Sequence, residues 1–480
     1  MLLRSLLRMS YRKIMASSSS SFFFFLLSLL SFFSFICSLP DVKTTTITIP
    51  LSRFKNNPSP DPLHKLTHLV SASLTRAKHI KNPPESHPTK TPLFPRSYGG
   101  YSIPLSFGTP PQTIPFIMDT GSDLVWFPCT HRYICKNCTF PNQNLTTDPI
   151  FIPKASSTAK IVGCRNPKCG WIHDPDAQSR CMDCDPNSSN CTQICPPYAI
   201  VYGSGSTAGL LLSETLDFPE IKIPNFVVGC SLFSSRQPSG IAGFGRGSPS
   251  LPSQLGLKRF SYCLVSHRFD DTTESTSLNL YGGSYSGDHK TKGLSYTPFL
   301  KNPATGRHAF SVYYYIGLRK ITVGGKRVKI PYHYLAMGSD GNGGAIIDSG
   351  STFTFMEKRV FDLVAREFEN QVSHYSRASD VETITGLRPC FNVSDEKTLS
   401  LPELVFHFKG GAKMALPLPN YYSIFSADGV VCLTIVTDGV IPDTDVSGGP
   451  SIILGNYQQQ NFYVEYDLEN DRLGFREQIC

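Results

Sequence analysis

Ile117-Met118-Asp119-Thr120-Gly121-Ser122 is a stretch in which an ionisable carboxyl group follows an apolar strand and precedes small turn residues. The pattern returns in the second half of the chain as Ile346-Ile347-Asp348-Ser349-Gly350-Ser351. A carboxylate in such apolar surroundings is costly to bury unless hydroxyl and backbone N–H groups hydrogen-bond to it. The turn residues supply those groups. The repeat therefore indicates an internal duplication with Asp119 and Asp348 at equivalent positions.

Length and composition favour a large, strand-rich protein. A chain of 480 residues is long enough for two or more packed units. Glycine and proline number 37 each, which favours turns and short strands over long helices. The clearest helical pattern covers residues 357–374, where apolar side chains recur on one face.

The net positive charge of the chain comes from the residues before position 97. The formal net charge is +8, but residues 97–480 contain 32 basic and 34 acidic residues. Because the later part of the sequence lacks a Lys/Arg stripe, the sequence predicts no nucleic-acid partner.

Residues 1–38 are predicted to be a signal peptide. Their apolar run, Phe22 to Ile36, is short for a membrane span but suits the core of a leader. A signal anchor is the alternative. No other apolar run reaches spanning length, so no stable membrane anchor is expected. The predicted destination is the secretory pathway and the extracellular space (apoplast or cell wall), with the vacuole as a second destination.

Residues 39–96 are basic, rich in proline and free of cysteine, and we predict a pro-segment. A removable basic cover suits an acidic site. A disordered basic linker is the alternative. Asp61-Pro62 is a typical helix start, and Arg76, Lys78 and Lys81 follow an apolar face. That face comprises Leu63, Leu66, Val70 and Leu74.

Fourteen of the fifteen cysteines lie between Cys129 and Cys480, an even number that predicts disulfides in an oxidising compartment. Two Cys-x-x-Cys pairs leave a zinc site as an alternative, which the secretory leader and wide spacing disfavour. The pairing stays open. The candidate disulfide residues are Cys129, Cys135, Cys138, Cys164, Cys169, Cys181, Cys184, Cys191, Cys195, Cys230, Cys263, Cys390, Cys432 and Cys480.

Five Asn-X-Ser/Thr sequences are candidate glycosylation sites, in agreement with secretion. They are Asn137, Asn144, Asn187, Asn190 and Asn392.

The duplication predicts a specific chemistry. Two loops related by a pseudo-twofold axis would bring Asp119 and Asp348 together across a water molecule. Like charges at that separation cannot both ionise easily, so the pair shares a proton. The ionised carboxylate then activates the water while the protonated one polarises a scissile carbonyl. The prediction is amide hydrolysis at acidic pH, with no cofactor and no metal.

Further motifs carry a family resemblance. Trp126 stands seven residues after Asp119, and Tyr202-Gly203-Ser204-Gly205 ends a predicted strand. Ile241-Ala242-Gly243 and Ile453-Leu454-Gly455 are two apolar-apolar-Gly elements. With these motifs the chain from about Tyr98 to Cys480 resembles a pepsin-like aspartic protease of the plant nepenthesin-like branch.

The resemblance implies an all-β fold: a bilobal, pepsin-like double β-barrel with pseudo-twofold symmetry and few short helices. It implies an N-terminal lobe at 97–296, with a cysteine-rich insertion at 129–195, and a C-terminal lobe at 297–480. The implied activity is that of a monomeric aspartic endopeptidase, whose partners are a polypeptide substrate and its own pro-segment.

The resemblance also assigns roles to the two loops and a flap. Asp119 and Asp348 are the implied catalytic pair. Thr120 and Ser349 are expected to cross-brace the loops, and Ser122 and Ser351 to hydrogen-bond the outer carboxylate oxygens, around the loop glycines Gly121 and Gly350. Tyr202 and Gly203 would form the flap, with the Trp126 N–H bound to the Tyr202 hydroxyl. Asp123 is interpreted as a solvated turn residue.

Two other functions are compatible with the pattern. Some plant relatives of this fold are inert and bind or inhibit cell-wall glycosidases, but such proteins usually carry damage in a catalytic loop or flap. A disulfide-rich adhesion protein would explain the cysteines and leave the duplicated loops unexplained.

Overall fold

The computed structural model describes residues 46–53, 62–81, 99–138, 149–173, 181, 191–203, 205–219, 221–237, 239–266, 275–282, 290–304, 308–394, 398–425, 429–438 and 448–480. The predicted signal peptide at 1–38 lies outside the described residues, as do Asn144, Asn187, Asn190 and Cys184.

The fold is mostly β, as the sequence predicts. The strands of the described residues are β1 (Thr46–Arg53), β2 (Tyr101–Phe107), β3 (Gln112–Asp119), β4 (Trp126–Pro128), β5 (Ile134–Lys136), β6 (Lys160–Ile161), β7 (Tyr198–Val201), β8 (Ser206–Asp217), β9 (Lys222–Ser235), β10 (Gly240–Gly243), β11 (Arg259–Cys263), β12 (Ser275–Tyr281), β13 (Ser295–Pro298), β14 (Tyr314–Ile316), β15 (Leu318–Val323), β16 (Lys326–Arg327), β17 (Ala345–Ile347), β18 (Thr354–Met356), β19 (Cys390–Asn392), β20 (Leu404–Phe408), β21 (Lys413–Ala415), β22 (Tyr422–Phe425), β23 (Val430–Leu433), β24 (Ile435–Val436), β25 (Ile452–Leu454), β26 (Phe462–Asp467) and β27 (Arg472–Glu477). The α-helices of the same residues are α1 (Pro62–Lys81), α2 (Leu251–Leu255), α3 (Tyr332–Leu335), α4 (Lys358–Gln371) and α5 (Ser379–Thr385).

The strand pairing repeats in the two halves of the chain. In the first half β3 runs parallel to β10, β10 is antiparallel to β4, and β4 is parallel to β9. In the second half β17, β25, β18 and β24 pair in the same order and with the same directions. The internal duplication predicted from the two Asp loops is therefore present in the backbone, as the pepsin-like fold requires.

One large sheet connects the two halves. The strands β26 and β27 at the end of the chain form an antiparallel pair, and β26 pairs antiparallel with β11 of the first half. On its other side β11 pairs with β12, which pairs with β1 over seven residues. Residues Thr46–Cys480 accordingly form one compact unit. The predicted boundaries of pro-segment and lobes stay predictions.

Aromatic side chains fill the space between these sheets. The rings of Phe260 and Tyr466 stack with centroids 4.4 Å apart, and Tyr314 meets Tyr466 edge-on at 4.8 Å. All three side chains are fully buried. Such packing fixes the relative position of strands that come from distant parts of the sequence.

The helix predicted to start at Asp61-Pro62 exists as α1 and packs against the second half of the chain. Its side chains Leu66, Leu69 and Val70 are at most 3% exposed and belong to one apolar cluster with Phe310 and Phe353. Burial of this apolar face explains why the basic segment forms a stable helix.

Helix α4 is slightly shorter than the predicted 357–374, because it ends at Gln371. Its buried side chains include Val360, Phe361, Val364 and Phe368, the face that the sequence periodicity predicts. No helix among the described residues is both long enough and apolar enough to cross a membrane.

The structure resolves the cysteine pairing that the sequence left open. The disulfides are Cys129–Cys230, Cys135–Cys138, Cys164–Cys181, Cys169–Cys195, Cys263–Cys480 and Cys390–Cys432. Cys191 is also disulfide-bonded. The cysteines of the first Cys-x-x-Cys pair bond to each other, whereas Cys181 of the second bonds to Cys164.

Replacing Cys263 and Cys480 together by Ser should lower the free energy of unfolding by about 2–5 kcal/mol, because this bridge closes a very long loop. Its partners are 217 residues apart in sequence. Urea unfolding under non-reducing conditions measures the loss. The matched control is the Cys135→Ser, Cys138→Ser double variant, whose partners are three residues apart, and it should lose less. An equal loss in both variants would contradict the loop-closure explanation.

Candidate active site

The two Asp loops occupy equivalent places at the ends of equivalent strands. Asp119 is the last residue of β3 and pairs in register with Gly243 of β10. Asp348 follows β17, whose last residue Ile347 pairs with Leu454 of β25. Both carboxyl groups are buried, with 2% and 0% exposure for the two residues. The ends of these strands thus hold both carboxyl groups in the buried interior.

Each carboxylate receives the same two local hydrogen bonds. The backbone N–H of Gly121 donates to Asp119 Oδ1, and that of Gly350 donates to Asp348 Oδ1, both at 2.9 Å. The second oxygen of each carboxylate accepts a hydrogen bond from a serine hydroxyl of the same loop. These N–H bonds stabilise the ionised form of each carboxyl group.

Serine hydroxyls bind the remaining oxygens. Ser122 donates to Asp119 Oδ2 and Ser351 donates to Asp348 Oδ2, each at 2.6 Å. The matched partners and distances make the two loops near copies in hydrogen bonding as well as in backbone. Any difference in behaviour between Asp119 and Asp348 must therefore come from their wider surroundings.

The loops also brace each other. Ser349 N donates to the Thr120 hydroxyl at 2.8 Å, and Thr120 N donates to the Ser349 hydroxyl at 3.1 Å. The Ser349 hydroxyl in turn donates to the carbonyl of Met118 at 3.0 Å. Serine in the second loop thus retains the reciprocal contact that the resemblance assigns to these two positions.

A third element enters the site from α1. The Arg76 guanidinium donates from Nη2 to Asp119 Oδ1 at 2.8 Å and from Nε to Asp348 Oδ2 at 3.2 Å. One planar group therefore contacts both carboxylates, and its side chain is only 8% exposed. Two charge-assisted bonds from one guanidinium in a buried site make a strong, geometrically specific contact.

The charges in this cluster act on the pKa values of Asp119 and Arg76. Burial raises the pKa of Asp119 most, the nearby charge of Arg76 opposes that rise, and the charge of Asp348 adds to it. Burial acts to lower the pKa of Arg76, but the two carboxylates outweigh it and the pKa is raised. Arg76 therefore stays charged, and its contacts depend on the protonation of its partners.

The predicted flap lies over Arg76. Tyr202 follows β7, is 5% exposed, and accepts a hydrogen bond from Trp126 Nε1 at 2.9 Å. At Gly203 a Cβ atom would come within 2.2 Å of the Arg76 Cα atom. Only glycine allows the flap backbone to approach α1 this closely.

Asp123 does not behave as the sequence analysis predicts. It is 8% exposed, and its Oδ1 accepts a hydrogen bond from Gly247 N at 2.9 Å. A Cβ at Gly247 would lie 1.9 Å from Asp123 Oδ2, so glycine lets this loop close over the carboxyl group. Burial, more than any other cause, raises the pKa of Asp123 to about 7. The interpretation as a solvated turn residue is wrong.

Other predicted residues lie away from the carboxylates. Asn137 and Asn392 are exposed, as an acceptor asparagine must be. Among the described residues, no group of three or more His, Cys, Asp or Glu side chains is placed to hold a metal ion.

Comparison with known proteins places this geometry in a family. Residues 101–281 match the family model described as xylanase inhibitor N-terminal, and residues 313–477 match xylanase inhibitor C-terminal. A protein of Arabidopsis thaliana named a probable aspartyl protease is 34% identical, over 79% of this chain and 82% of its own. Nepenthesin-1, an aspartic proteinase of Nepenthes gracilis, is 35% identical over 80% of this chain and 78% of its own. The chain belongs to the plant pepsin-like aspartic proteases.

Solved structures agree with this family in fold. The structure of edgp superimposes with a TM-score of 0.60 at 19% identity, covering 92% of this chain and 96% of edgp. Soybean basic 7S globulin gives 0.57 at 17% identity, covering 90% and 95% respectively.

Arg76 contacts both carboxylates but is not among the site residues predicted from the sequence of this aspartic protease family member. A signal was present, because Val70, Ser73 and Arg76 follow one another at helical spacing on the face that also carries Leu66 and Leu69. A charged residue on an apolar helix face needs a buried partner. The two carboxylates are that partner.

The pKa of Asp123 predicts a pH-dependent stability. An Asp in an unfolded chain has a pKa of about 3.9, so between that value and the folded value of about 7 only the folded protein holds this proton. The contribution of Asp123 to stability therefore falls as pH rises through this window and is constant above it. In wild type this decrease in the free energy of unfolding is at most about 1.4 kcal/mol per pH unit. The Asp123→Asn variant should not show it.

Thermal melts of wild type and Asp123→Asn at pH 4 and pH 7.5 measure this effect as a difference in melting temperature that grows with pH. Asp380→Asn, at an exposed position on α5, is the control and should give a constant difference. A constant difference for Asp123→Asn as well would show that the buried carboxyl group does not take up this proton.

Proposed function

We propose that this chain is the precursor of a secreted aspartic endopeptidase that hydrolyses peptide bonds at acidic pH. The observation that carries the proposal is the pair of buried carboxylates with matched hydrogen bonds, close enough for one guanidinium to contact both. The family supplies the class of activity. The intact loops and the hydrogen-bonded Tyr202 supply the reason to expect it in this chain.

In the proposed reaction a water molecule takes the place between the carboxyl groups. The ionised carboxylate accepts a proton from this water, whose oxygen forms a bond to the scissile carbonyl carbon. The protonated carboxyl group donates to the carbonyl oxygen, so a neutral tetrahedral diol results. Collapse of the diol breaks the C–N bond: the carboxyl group that took the proton of the water donates it to the nitrogen, and the other carboxylate takes a hydroxyl proton from the diol. The pair thus again holds one proton.

Acidic pH follows from the requirement for one shared proton. Two adjacent buried carboxylates resist double ionisation, so the pair retains one proton in acidic solution where an isolated Asp would already have ionised. Burial, and after it the charge of Asp348, raises the pKa of Asp119 in this way. Tyr202, whose pKa burial raises well above its usual value, remains a neutral hydroxyl over the cleft.

Asp119→Asn and Asp348→Asn should each lower the turnover of a denatured protein substrate by several orders of magnitude, because neither variant can both accept and donate the required proton. The measurement is product release by acid-treated, purified protein. Asp380→Asn is the matched control and should retain full activity. Undiminished cleavage by Asp119→Asn would overturn the proposed mechanism.

A second candidate function comes from the names of the matching family models, which describe xylanase inhibitors. An inert protein that binds cell-wall glycosidases would need neither carboxylate. The same preparations should therefore be tested against a xylanase. Inhibition that persists in Asp119→Asn, without proteolysis by wild type, favours this candidate over the peptidase.

The proposal includes latency of the precursor. Arg76 lies where the mechanism needs a water molecule, and α1 lies beneath the flap, with Ser73 Oγ accepting from Phe353 N at 2.8 Å. The pro-segment is thus the chain's own inhibitor. Within this contact Arg76 lowers the pKa of Asp119 against the larger, opposite effect of burial. By linkage, protonation of Asp119 as pH falls weakens the hold on Arg76.

Arg76→Ala should allow the uncleaved precursor to bind a statine-type peptide at neutral pH, because the guanidinium no longer fills the site and the carboxylates repel each other beneath α1. Calorimetric titration without acid treatment measures this binding. Lys78→Ala, on the same helix, is the control, and its precursor should not bind the peptide. If the Arg76→Ala precursor does not bind the peptide, the packing of α1 alone provides latency.

A further inference from the structure

Three basic side chains form a row across the sheet that contains β16, β15, β20 and β21. Lys320 of β15 is paired with His407 of β20, and His407 is paired with Lys413 of β21. Residues directly opposite each other in an antiparallel pair point to the same face of the sheet. Lys320, His407 and Lys413 therefore stand side by side on neighbouring strands, and we call them the basic row.

The basic row lies on the outer face of this sheet. Successive side chains of a strand point to opposite faces, and a neighbour of each basic residue along its strand is buried in the apolar core. These neighbours are Ile321, Phe406 and Met414. Lys413 is exposed, and the other two members of the basic row are half-buried. All three are thus open to a partner that approaches from solvent.

The described residues provide no ion-pair partner for the two lysines of the basic row. The ammonium group of Lys326 on β16 lies 2.9 Å from a carboxylate oxygen of Glu367, whereas neither Lys320 nor Lys413 forms an ion pair with a described residue. The surrounding sequence explains the difference, because residues 289–339 and 404–427 contain no Asp or Glu. Nine Lys or Arg residues occur in the first of these ranges alone.

The members of the basic row affect one another. Burial acts most strongly to lower the pKa of His407, and the charges of Lys320 and Lys413 lower it further. The Nε2 atom of His407 lies 3.0 Å from the hydroxyl oxygen of Thr322, which holds the ring between the two lysines. An anion over the row would interact with both ammonium groups and would favour the charged form of the imidazole.

The spacing of the basic row indicates a polymer with closely and regularly spaced negative charges. Neighbouring strands lie about 4.8 Å apart, so a chain that crosses them would meet a basic side chain at each strand. An acidic polysaccharide made of uronic acids carries one carboxylate on every sugar ring, which suits such short and regular intervals.

The side chains beside the basic row make two other anionic partners less suitable. The next positions on this face are Thr322, Val405 and Ala415, and Val405 is only 7% exposed. They offer no aromatic ring on which a nucleic-acid base could stack. They also offer no large exposed apolar side chain that could enter a membrane.

We propose that the basic row of Lys320, His407 and Lys413 is a docking surface for an acidic polysaccharide of the extracellular matrix. The choice of this partner rests on the proposed secretion, but docking does not require peptidase activity. The row belongs to a different sheet from β17, which leads into Asp348. A docked polymer would thus retain the protein in the matrix without entering the catalytic site. Because the three residues come from separate segments, the sequence alone shows no basic stripe.

The test measures binding of the purified full-length chain to immobilised polygalacturonate at low salt and about pH 5.5, where uronate carboxylates are ionised. The Lys320→Ala, Lys413→Ala double variant should bind about tenfold more weakly and with a less steep salt dependence, because two cationic contacts are lost. The Lys320→Arg, Lys413→Arg double variant retains both charges and should bind as wild type does.

The matched control is the Lys136→Ala, Lys160→Ala double variant, which removes the same charge from exposed positions in the first half of the chain. It should bind as wild type does, and thermal melts check that every variant is folded. Equal weakening in this control and in the alanine variant of the basic row would overturn the inference, since net charge alone would explain it.

Two further measurements use wild type and do not depend on the folding of any variant. Equal binding to fully methyl-esterified polygalacturonate, which has the same backbone without the charge, contradicts recognition of carboxylates. Tighter binding to single-stranded DNA or to phosphatidylserine vesicles than to polygalacturonate contradicts the choice of partner. Wild type that binds polygalacturonate as expected but cleaves no peptide supports the docking surface and overturns the peptidase function.

Discussion

Two carboxyl groups buried side by side are the constraint on which the rest of the structure depends. Neither could stay ionised in an apolar interior without donors, and both together would repel each other. The fold meets this demand by using one strand–loop unit twice, so that each Asp receives a glycine N–H and a serine hydroxyl. The reciprocal brace between Thr120 and Ser349 then keeps the two loops in a single geometry.

The local features of this arrangement were predictable from the sequence. Strand-forming apolar residues before each Asp, and hydroxyl residues after it, are neighbours in the chain, so their contacts follow from short-range geometry. Helix α1 was predictable for the same reason, because the apolar spacing that predicts it is local. The contact between Trp126 and Tyr202 came from family resemblance, and the structure brings these side chains together.

Features that depend on long-range packing were not predictable. The burial of Asp123 requires the Gly247 loop to fold over it, and the two are more than a hundred residues apart in sequence. In the sequence Arg76 is one of several basic residues. Its role becomes visible only when α1 packs against the second half of the chain. The cysteine pairs likewise follow from the paths of strands and not from their spacing, as the bond between Cys164 and Cys181 illustrates.

The bond between Cys263 and Cys480 makes a covalent ring of the chain from the middle of the molecule to its last residue. Any single backbone nick within that ring leaves both fragments attached to each other. For the proposed peptidase, whose own surface loops are polypeptide, such a closed topology would keep the molecule in one piece after a single cut. Autolysis in a surface loop of the second half would then leave β26 and β27 tethered to the sheet that joins the two halves.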